Sequence, residues 1–209
     1  MARQAIKSQK SAEPPLGRND WIEAAITLLA EDNVEALRVD TLAEKLGVTK
    51  GSFYWHFKGR EDLLSGVLDA WRSRMTNEVR ALIFDKSGTP WERLERLLRI
   101  AISGRADVPG GPFEMTLRDW ARRDPKVAEV VRAVDAERNA FAVQLYREAG
   151  LSEADALDYA EAHMAVVIGI RMTLAVNDRE EIKRRRRIAG ALLLPRDKAD
   201  SESPEQPSG

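Results

Sequence analysis
Helix-starting signals recur along this chain, each followed by apolar residues at helical spacing, and this repetition constrains the fold more than any other feature. At Thr89-Pro90-Trp91-Glu92 a hydroxyl can accept from an orphan N–H of the first turn, the proline sits where no donor is needed, and the acid can bond back. Asp124-Pro125 repeats the pairing of cap and proline. Asp20 with Glu23 forms a capping-box pattern, and Thr49 and Ser152 can cap two further helices. Apolar stripes follow: Trp21, Ile22, Ala25, Ile26, Leu28 and Leu29; then Val39, Leu42, Ala43 and Leu46; then Leu63, Leu64, Val67, Leu68, Trp71 and Met75. Strand alternation is scarce, so the expected fold is all-α with about nine helices.

The pattern predicts a first helix from Asp20, a second from Arg38 to Leu46 stopped by Gly47, a third from Thr49 to about His56, and a long fourth from Gly59 to about Phe84. After Lys86-Ser87-Gly88 come a fifth helix with Leu94, Leu97, Leu98 and Ala101 inward, a loop over Gly104 to Pro112, and a sixth from about Pro112 to Arg122. A long helix ends at Gly150, another carries the apolar stretch Ala162 to Val176, and a last runs from about Asp178 to Leu194. Residues 1–16 read as a flexible arm, 17–62 as a small head, 63–194 as a helical body, and 195–209 as a polar, proline-bearing tail expected to be disordered.

Composition removes whole classes of chemistry. Without cysteine there is no disulfide, thiolate zinc site or iron–sulfur cluster, and His56 and His163 lie far apart with no metal-binding spacing, so no metal or cofactor is expected. Met1 to Pro15 has no apolar run to serve as a signal peptide, and Ala162 to Val176 is too short and too interrupted to span a bilayer, so a cytoplasmic location with no membrane partner is expected. No glycine-rich phosphate loop or nucleophile elbow is present, which argues against an enzyme. The net charge of −1 means that any nucleic-acid contact must rest on a local patch.

Such a patch lies in Leu42-Ala43-Glu44-Lys45-Leu46-Gly47-Val48-Thr49-Lys50-Gly51-Ser52-Phe53-Tyr54-Trp55-His56-Phe57. Two short helices that cross steeply need a small residue at the crossing, a glycine in the turn and apolar residues to lock them together; Ala43, Gly47 and the set Val48, Phe53 and Phe57 supply these. Thr49, Lys50, Ser52, Tyr54, Trp55 and His56 must then project around the remaining faces, and their donors suit phosphates and base edges. From Lys45 to Arg60 there are four lysines and arginines and no acid. Ordinary packing is a poor account of Tyr54-Trp55-His56, because three consecutive rings cannot all face one core on a helix of 3.6 residues per turn.

The run Gly47-Val48-Thr49-Lys50-Gly51-Ser52-Phe53-Tyr54-Trp55-His56-Phe57-Lys58, followed by Arg60-Glu61-Asp62-Leu63-Leu64, resembles the DNA-binding segment of the tetracycline-repressor (TetR) family of bacterial regulators. The resemblance is specific over about Asn19 to Leu68 and general beyond. It implies a homodimer whose heads read a palindromic DNA operator and whose body binds a small molecule that releases the DNA. By position, Thr49, Lys50, Gly51 and Trp55 would lie nearest base edges, while Tyr54, His56, Lys58 and Arg60 would grip phosphates; Ser52 also belongs to the expected DNA-binding set. Arg38 and Gly59 stand where the family commonly has polar caps; an arginine at 38 could still reach the DNA backbone.

The apolar helix over Ala162 to Val176 has more apolar circumference than one domain covers, so dimerisation through the last two helices is expected, with Gly169 allowing close approach and Ile182, Ile188, Leu192 and Leu193 completing the interface. For a mostly apolar effector the candidates are Trp71, Met75, Phe113, Trp120, Phe141 and His163, with Trp91 and Tyr146 as further aromatics; aromatic residues at this spacing more often pack than bind. Arg118 and Arg171 could meet an acidic ligand if they face inward, although a solvated or salt-bridged arginine is the better explanation of each. The run Lys183 to Arg187 reads as a solvated helix face because Glu180 and Glu181 precede Arg184 and Arg185 by four residues. The leading function is a ligand-released repressor; an effector-independent regulator or activator is the alternative, and an all-α enzyme is the rival from another class.

Overall fold
The computed structural model describes residues 16–84, 88–103, 110–173 and 178–195. The expected arm (except Leu16), most of the tail, Lys86-Ser87, Gly104 to Pro109 and Val176 lie outside them. The order is α1 (Arg18–Glu31), a 3-10 turn (Val34–Ala36), α2 (Val39–Lys45), α3 (Lys50–Tyr54), α4 (Arg60–Ser73), a π-helical turn (Arg74–Glu78), α5 (Val79–Phe84), α6 (Pro90–Ser103), α7 (Gly110–Ala121), α8 (Pro125–Glu148), α9 (Glu153–Thr173) and α10 (Arg179–Leu193). There is no strand among the described residues. Because α4, the π turn and α5 succeed one another without a break, the long fourth helix is present, and counting it once makes nine helices among the described residues.

The caps explain most of the boundaries. Thr89 and Glu92 form a reciprocal box, with the Thr89 N–H donating to Glu92 Oε2 at 2.8 Å and the Glu92 N–H to Thr89 Oγ1 at 3.3 Å. Asp124 accepts from the Lys126 N–H at 2.9 Å, Ser152 Oγ from the Asp155 N–H at 3.1 Å, and Asp178 from the N–H groups of Glu180 and Glu181. Two expectations shift. Asp20 is not the first cap: α1 begins at Arg18, and Asp20 is the acid of the first turn, accepting from the Gly17 N–H at 2.7 Å. The helix expected from Pro112 begins at Gly110, since a proline in the first turn lacks only a donor that has no intrahelical partner.

Packing joins head to body. Trp21, fully buried on α1, meets Phe53 edge-on at 5.3 Å, and Phe53 stacks on Phe57 at 5.2 Å. The same cluster continues through Leu63, Val67 and Trp71 of α4 to Phe113, Leu117 and Trp120 of α7 and Val131 of α8. Burial of each large apolar side chain contributes about 1.5–3 kcal/mol, so α1 is held by the body as firmly as by α2 and α3. Gly66 sits where α4 crosses α1; a Cβ there would meet Arg18 Nη2 and Ile22 Cδ1 at 3.1 Å. The division near residue 62 therefore separates helices in sequence but not the core they share. A second cluster, with Ile83, Leu94, Leu145, Tyr146 and Ala160, packs α5, α6, α8 and α9, and Leu98, Ile102, Ala189 and Leu193 fasten α10 to α6.

Candidate functional site
The helix-turn-helix is assembled by a turn that only a left-handed residue closes well. Gly47 has φ 68°, its N–H donates to the Glu44 carbonyl at 3.1 Å, and the Val48 N–H donates to the Ala43 carbonyl at 2.9 Å, the double-bonded C-terminal cap that lets the chain turn into α3. Phe53 and Phe57 then point inward at 0% and 2% exposure. The remainder of α3 and its flanks face out: Thr49, Lys50, Gly51 and Lys58 are exposed, Tyr54 is 62% exposed and Trp55 87%, while Ser52 is half-buried. Nothing in the packing requires an indole there.

Three of the expected DNA contacts have partners within the protein. Arg60 donates from Nε to the Leu37 carbonyl at 2.8 Å and from Nη2 to the Val34 carbonyl, bracing the start of α4 against the segment before α2. His56 Nε2 lies 3.1 Å from the Leu16 carbonyl and anchors the chain ahead of α1. Lys50 pairs with Asp40 of α2. Lys45 likewise pairs with Glu31 at 3.0 Å, so the patch that carries no acid along the sequence is partly neutralised by acids folded in beside it. Arg38 precedes α2 as an exposed residue with no side-chain cap, and Thr49 precedes α3 without one.

The body holds a half-enclosed cavity of about 310 Å³ between the π turn, α5, α6, α8 and α9. Met75, Phe141 and His163 line it; Trp71, Phe113 and Trp120 do not, because they are spent in the core that joins head to body. Trp91 packs against the second cluster, and the buried Tyr146 donates its hydroxyl hydrogen to the Leu193 carbonyl at 2.9 Å. Since that hydrogen is used, the 3.4 Å contact between Tyr146 Oη and His163 Nδ1 makes a hydrogen bond only with Nδ1 protonated, which leaves Nε2 an acceptor. Burial and then Arg138 hold His163 at about 4, so the ring is neutral at physiological pH.

Sequence reasoning missed the most constrained polar residue. Glu114, with 0% exposure, takes hydrogen bonds from Arg118 at 2.8 Å, Arg138 at 3.0 Å and Arg171, and Arg118 is also gripped by Asp135 at 2.8 and 2.9 Å. Burial alone would raise the Glu114 carboxyl, but Arg138, Arg171 and Arg118 outweigh it and hold it at about 2. The available signal was an acid between Phe113 and Leu117 on the apolar face of α7, four residues before an arginine. Arg118 and Arg171 are thus salt-bridged within the fold.

An exposed α3 behind a tight turn, set on a helical body with a half-enclosed cavity and no strand among the described residues, is a helix-turn-helix head on an all-α body. Residues 22–67 match the family described as bacterial regulatory proteins, tetR family. The tetracycline repressor protein class A of Escherichia coli is 42% identical over 52 residues, 25% of this chain and 24% of that protein; the transcriptional regulator SrpR of Pseudomonas putida is 38% identical over 58 residues, 28% and 27% of the two chains. These alignments span about a quarter of each relative. A TetR-family regulator from Rhodococcus sp. superposes over 85% of this chain and 98% of its own with TM-score 0.63 and 25% identity. A transcriptional regulator from Saccharomonospora viridis, solved in complex with choline, shares the fold over 84% and 94% at TM-score 0.72 and 16% identity. Residues 22–67 thus carry the DNA-binding segment of the tetR family, and the rest of the chain shares the all-α fold of that family's solved structures. Among the described residues no helix is long and apolar enough to cross a membrane.

Proposed function
We propose that the chain is a repressor that binds a palindromic DNA operator as a homodimer and is released when a small molecule enters the body cavity. The observation that carries the DNA-binding reading is the exposure of Trp55 and Tyr54 beside Thr49, Lys50, Gly51 and Lys58 on and around the outer face of α3. Adjacent exposed aromatic rings beside lysines form a surface suited to a partner that covers them. Residues 17–62 form the reading head, and 63–194 the dimerising and effector-binding body.

Dimerisation is supported by the outward faces of α9 and α10. Leu157, Met172, Ile188 and Leu192 are exposed there, Ala165 and Gly169 lie between the first two, and a Cβ on Gly169 would meet nothing within 4 Å. Leu193, expected at this interface, is instead buried against α6. Such a dimer reads DNA if its two α3 helices stand about 34 Å apart, one turn of the duplex. Coupling is supported by the π turn, which lines the cavity through Met75, Thr76 and Asn77 while Arg74 pairs with Glu23 of α1. A ligand that shifts this turn moves the head. The choline seen in the Saccharomonospora relative supports a body that takes small ligands, but here a cation would face Arg80, Arg138 and Arg171.

The test is a mobility-shift titration with the DNA flanking the protein's own coding region. Affinity is expected to fall steeply with salt, as lysines and arginines displace condensed counterions. Trp55→Ala and Tyr54→Ala are expected to lose binding while leaving the unfolding midpoint unchanged. Wild-type affinity in both variants would remove α3 as the reading surface.

A further inference from the structure
The cavity wall carries a charge pattern that its apolar lining does not need. Met75, Val79, Leu97, Ile100, Phe141 and Val167 make most of the surface. Into it also come Arg80, Arg138 and Arg171, with Glu137 the one acid of the lining among the described residues. Glu137 is matched by Arg72, while Arg138 and Arg171 share Glu114 with Arg118, and Asp135 completes that cluster. The lining residues and their ion-pair partners thus comprise five guanidiniums and three carboxylates, and neutral His163 adds no charge. Arg138 spends Nη1 on Glu114, and the guanidinium of Arg80, an exposed residue of the lining, lies over the rings of Phe84 and Phe141 at 5.6 and 5.8 Å.

We infer that the cavity takes an organic anion, a small and mostly apolar carboxylate whose charged end meets Arg80 and Arg138 while its body lies against Met75, Ile100, Phe141 and Val167. This rests on the reading of the cavity as the effector site and adds the class of effector. A carboxylate is favoured for three reasons. The excess of guanidinium in this half-enclosed apolar site is not matched by a carboxylate among the described residues, and a ligand carboxylate matches the planar donor fork of arginine. A cation would add a further positive charge beside groups that already repel one another. A neutral ligand would fill the space but leave the excess in place. His163 Nε2, an acceptor with no hydrogen-bond partner among the described residues, suits a hydroxyl on the same ligand.

The experiment is calorimetric titration of the full chain at pH 7.5 with two matched sets: 2-naphthoate, 2-naphthalenemethanol and (2-naphthylmethyl)trimethylammonium; octanoate, 1-octanol and octyltrimethylammonium. The carboxylate of at least one set is expected to bind about tenfold or more tightly than its alcohol, with the ammonium weakest. Ile100→Trp, which fills the cavity, is expected to abolish binding, and Arg80→Gln, a change at an exposed residue, to weaken the carboxylate several-fold without affecting the alcohol. Tighter binding of alcohol or ammonium, still blocked by Ile100→Trp, would overturn the anion assignment and leave the cavity as the ligand site. Equal effects of Arg80→Gln on carboxylate and alcohol would overturn the assignment in the same way. Binding by no compound, or binding untouched by Ile100→Trp, would overturn both the assignment and the effector site beneath it.

Discussion

Replacing Glu114 by alanine removes the one carboxylate on which three guanidiniums converge. Arg118 retains two hydrogen bonds to Asp135, and Arg138 has the same carboxylate 3.9 Å away, but Arg171 is left with only the Ala101 carbonyl at 3.0 Å. Breaking a buried ion pair from one side costs about 3–5 kcal/mol, because the surviving charge stays buried without its partner. At about 2–4 °C per kcal/mol for a chain of this size, the melting temperature is expected to fall by about 6–20 °C. Glu137→Ala is the internal control. It breaks an ion pair with Arg72 whose side chains are 41% and 53% exposed, and such pairs contribute about 0–1 kcal/mol. Urea unfolding followed by tryptophan fluorescence and by circular dichroism measures both variants. Glu114→Gln separates charge from shape: it keeps the volume and one acceptor, so if charge dominates it is nearly as destabilised as the alanine variant. If Glu114→Ala loses no more stability than Glu137→Ala, the cluster is not a structural keystone and the reasoning from burial fails.

The buried groups also set the response to acid. His163 is held at about 4 against an ordinary 6.5, so the native state resists the proton that the unfolded state accepts; stability present above 6.5 declines as pH falls toward 4, by about 3 kcal/mol in all, and urea midpoints from pH 7.5 to 4.5 should follow that course in wild type and flatten in His163→Phe. Glu114 extends the loss lower, its contribution being complete above about 4.5 and disappearing toward 2, which acid titration of Glu114→Gln should lack. Gly47→Ala places a Cβ at φ 68° and is expected to cost about 1 kcal/mol in thermal melts; an unchanged melt would mean that the turn relaxes. Met172→Lys and Leu192→Lys are expected to turn a dimer into a monomer in sedimentation at micromolar concentration while keeping the helical spectrum, and an unchanged mass in both would move the interface elsewhere.

Features written in local contacts were legible from the chain alone. Thr89 with Glu92, Asp124 with Pro125, Ser152 and Asp178 start helices through atoms two or three residues away, and Gly47 and Gly150 stop them by adopting positive φ. The outward set on α3 was legible for the same reason: once Phe53 and Phe57 face inward, helical geometry places Tyr54 and Trp55 outside. Tertiary structure decided the rest, because charge and burial depend on what arrives from distant sequence. Asp40 and Glu31 reach the lysines of the reading head from other helices, and Arg60 turns from an expected phosphate grip to the carbonyls of Val34 and Leu37. Trp71, Phe113 and Trp120 share the chemistry of Phe141, yet they fill the junction of head and body while Phe141 borders a cavity. That difference lies in which helices cross at each point, and Glu114 became the centre of the body only when α7, α8 and α9 brought Arg118, Arg138 and Arg171 to one place.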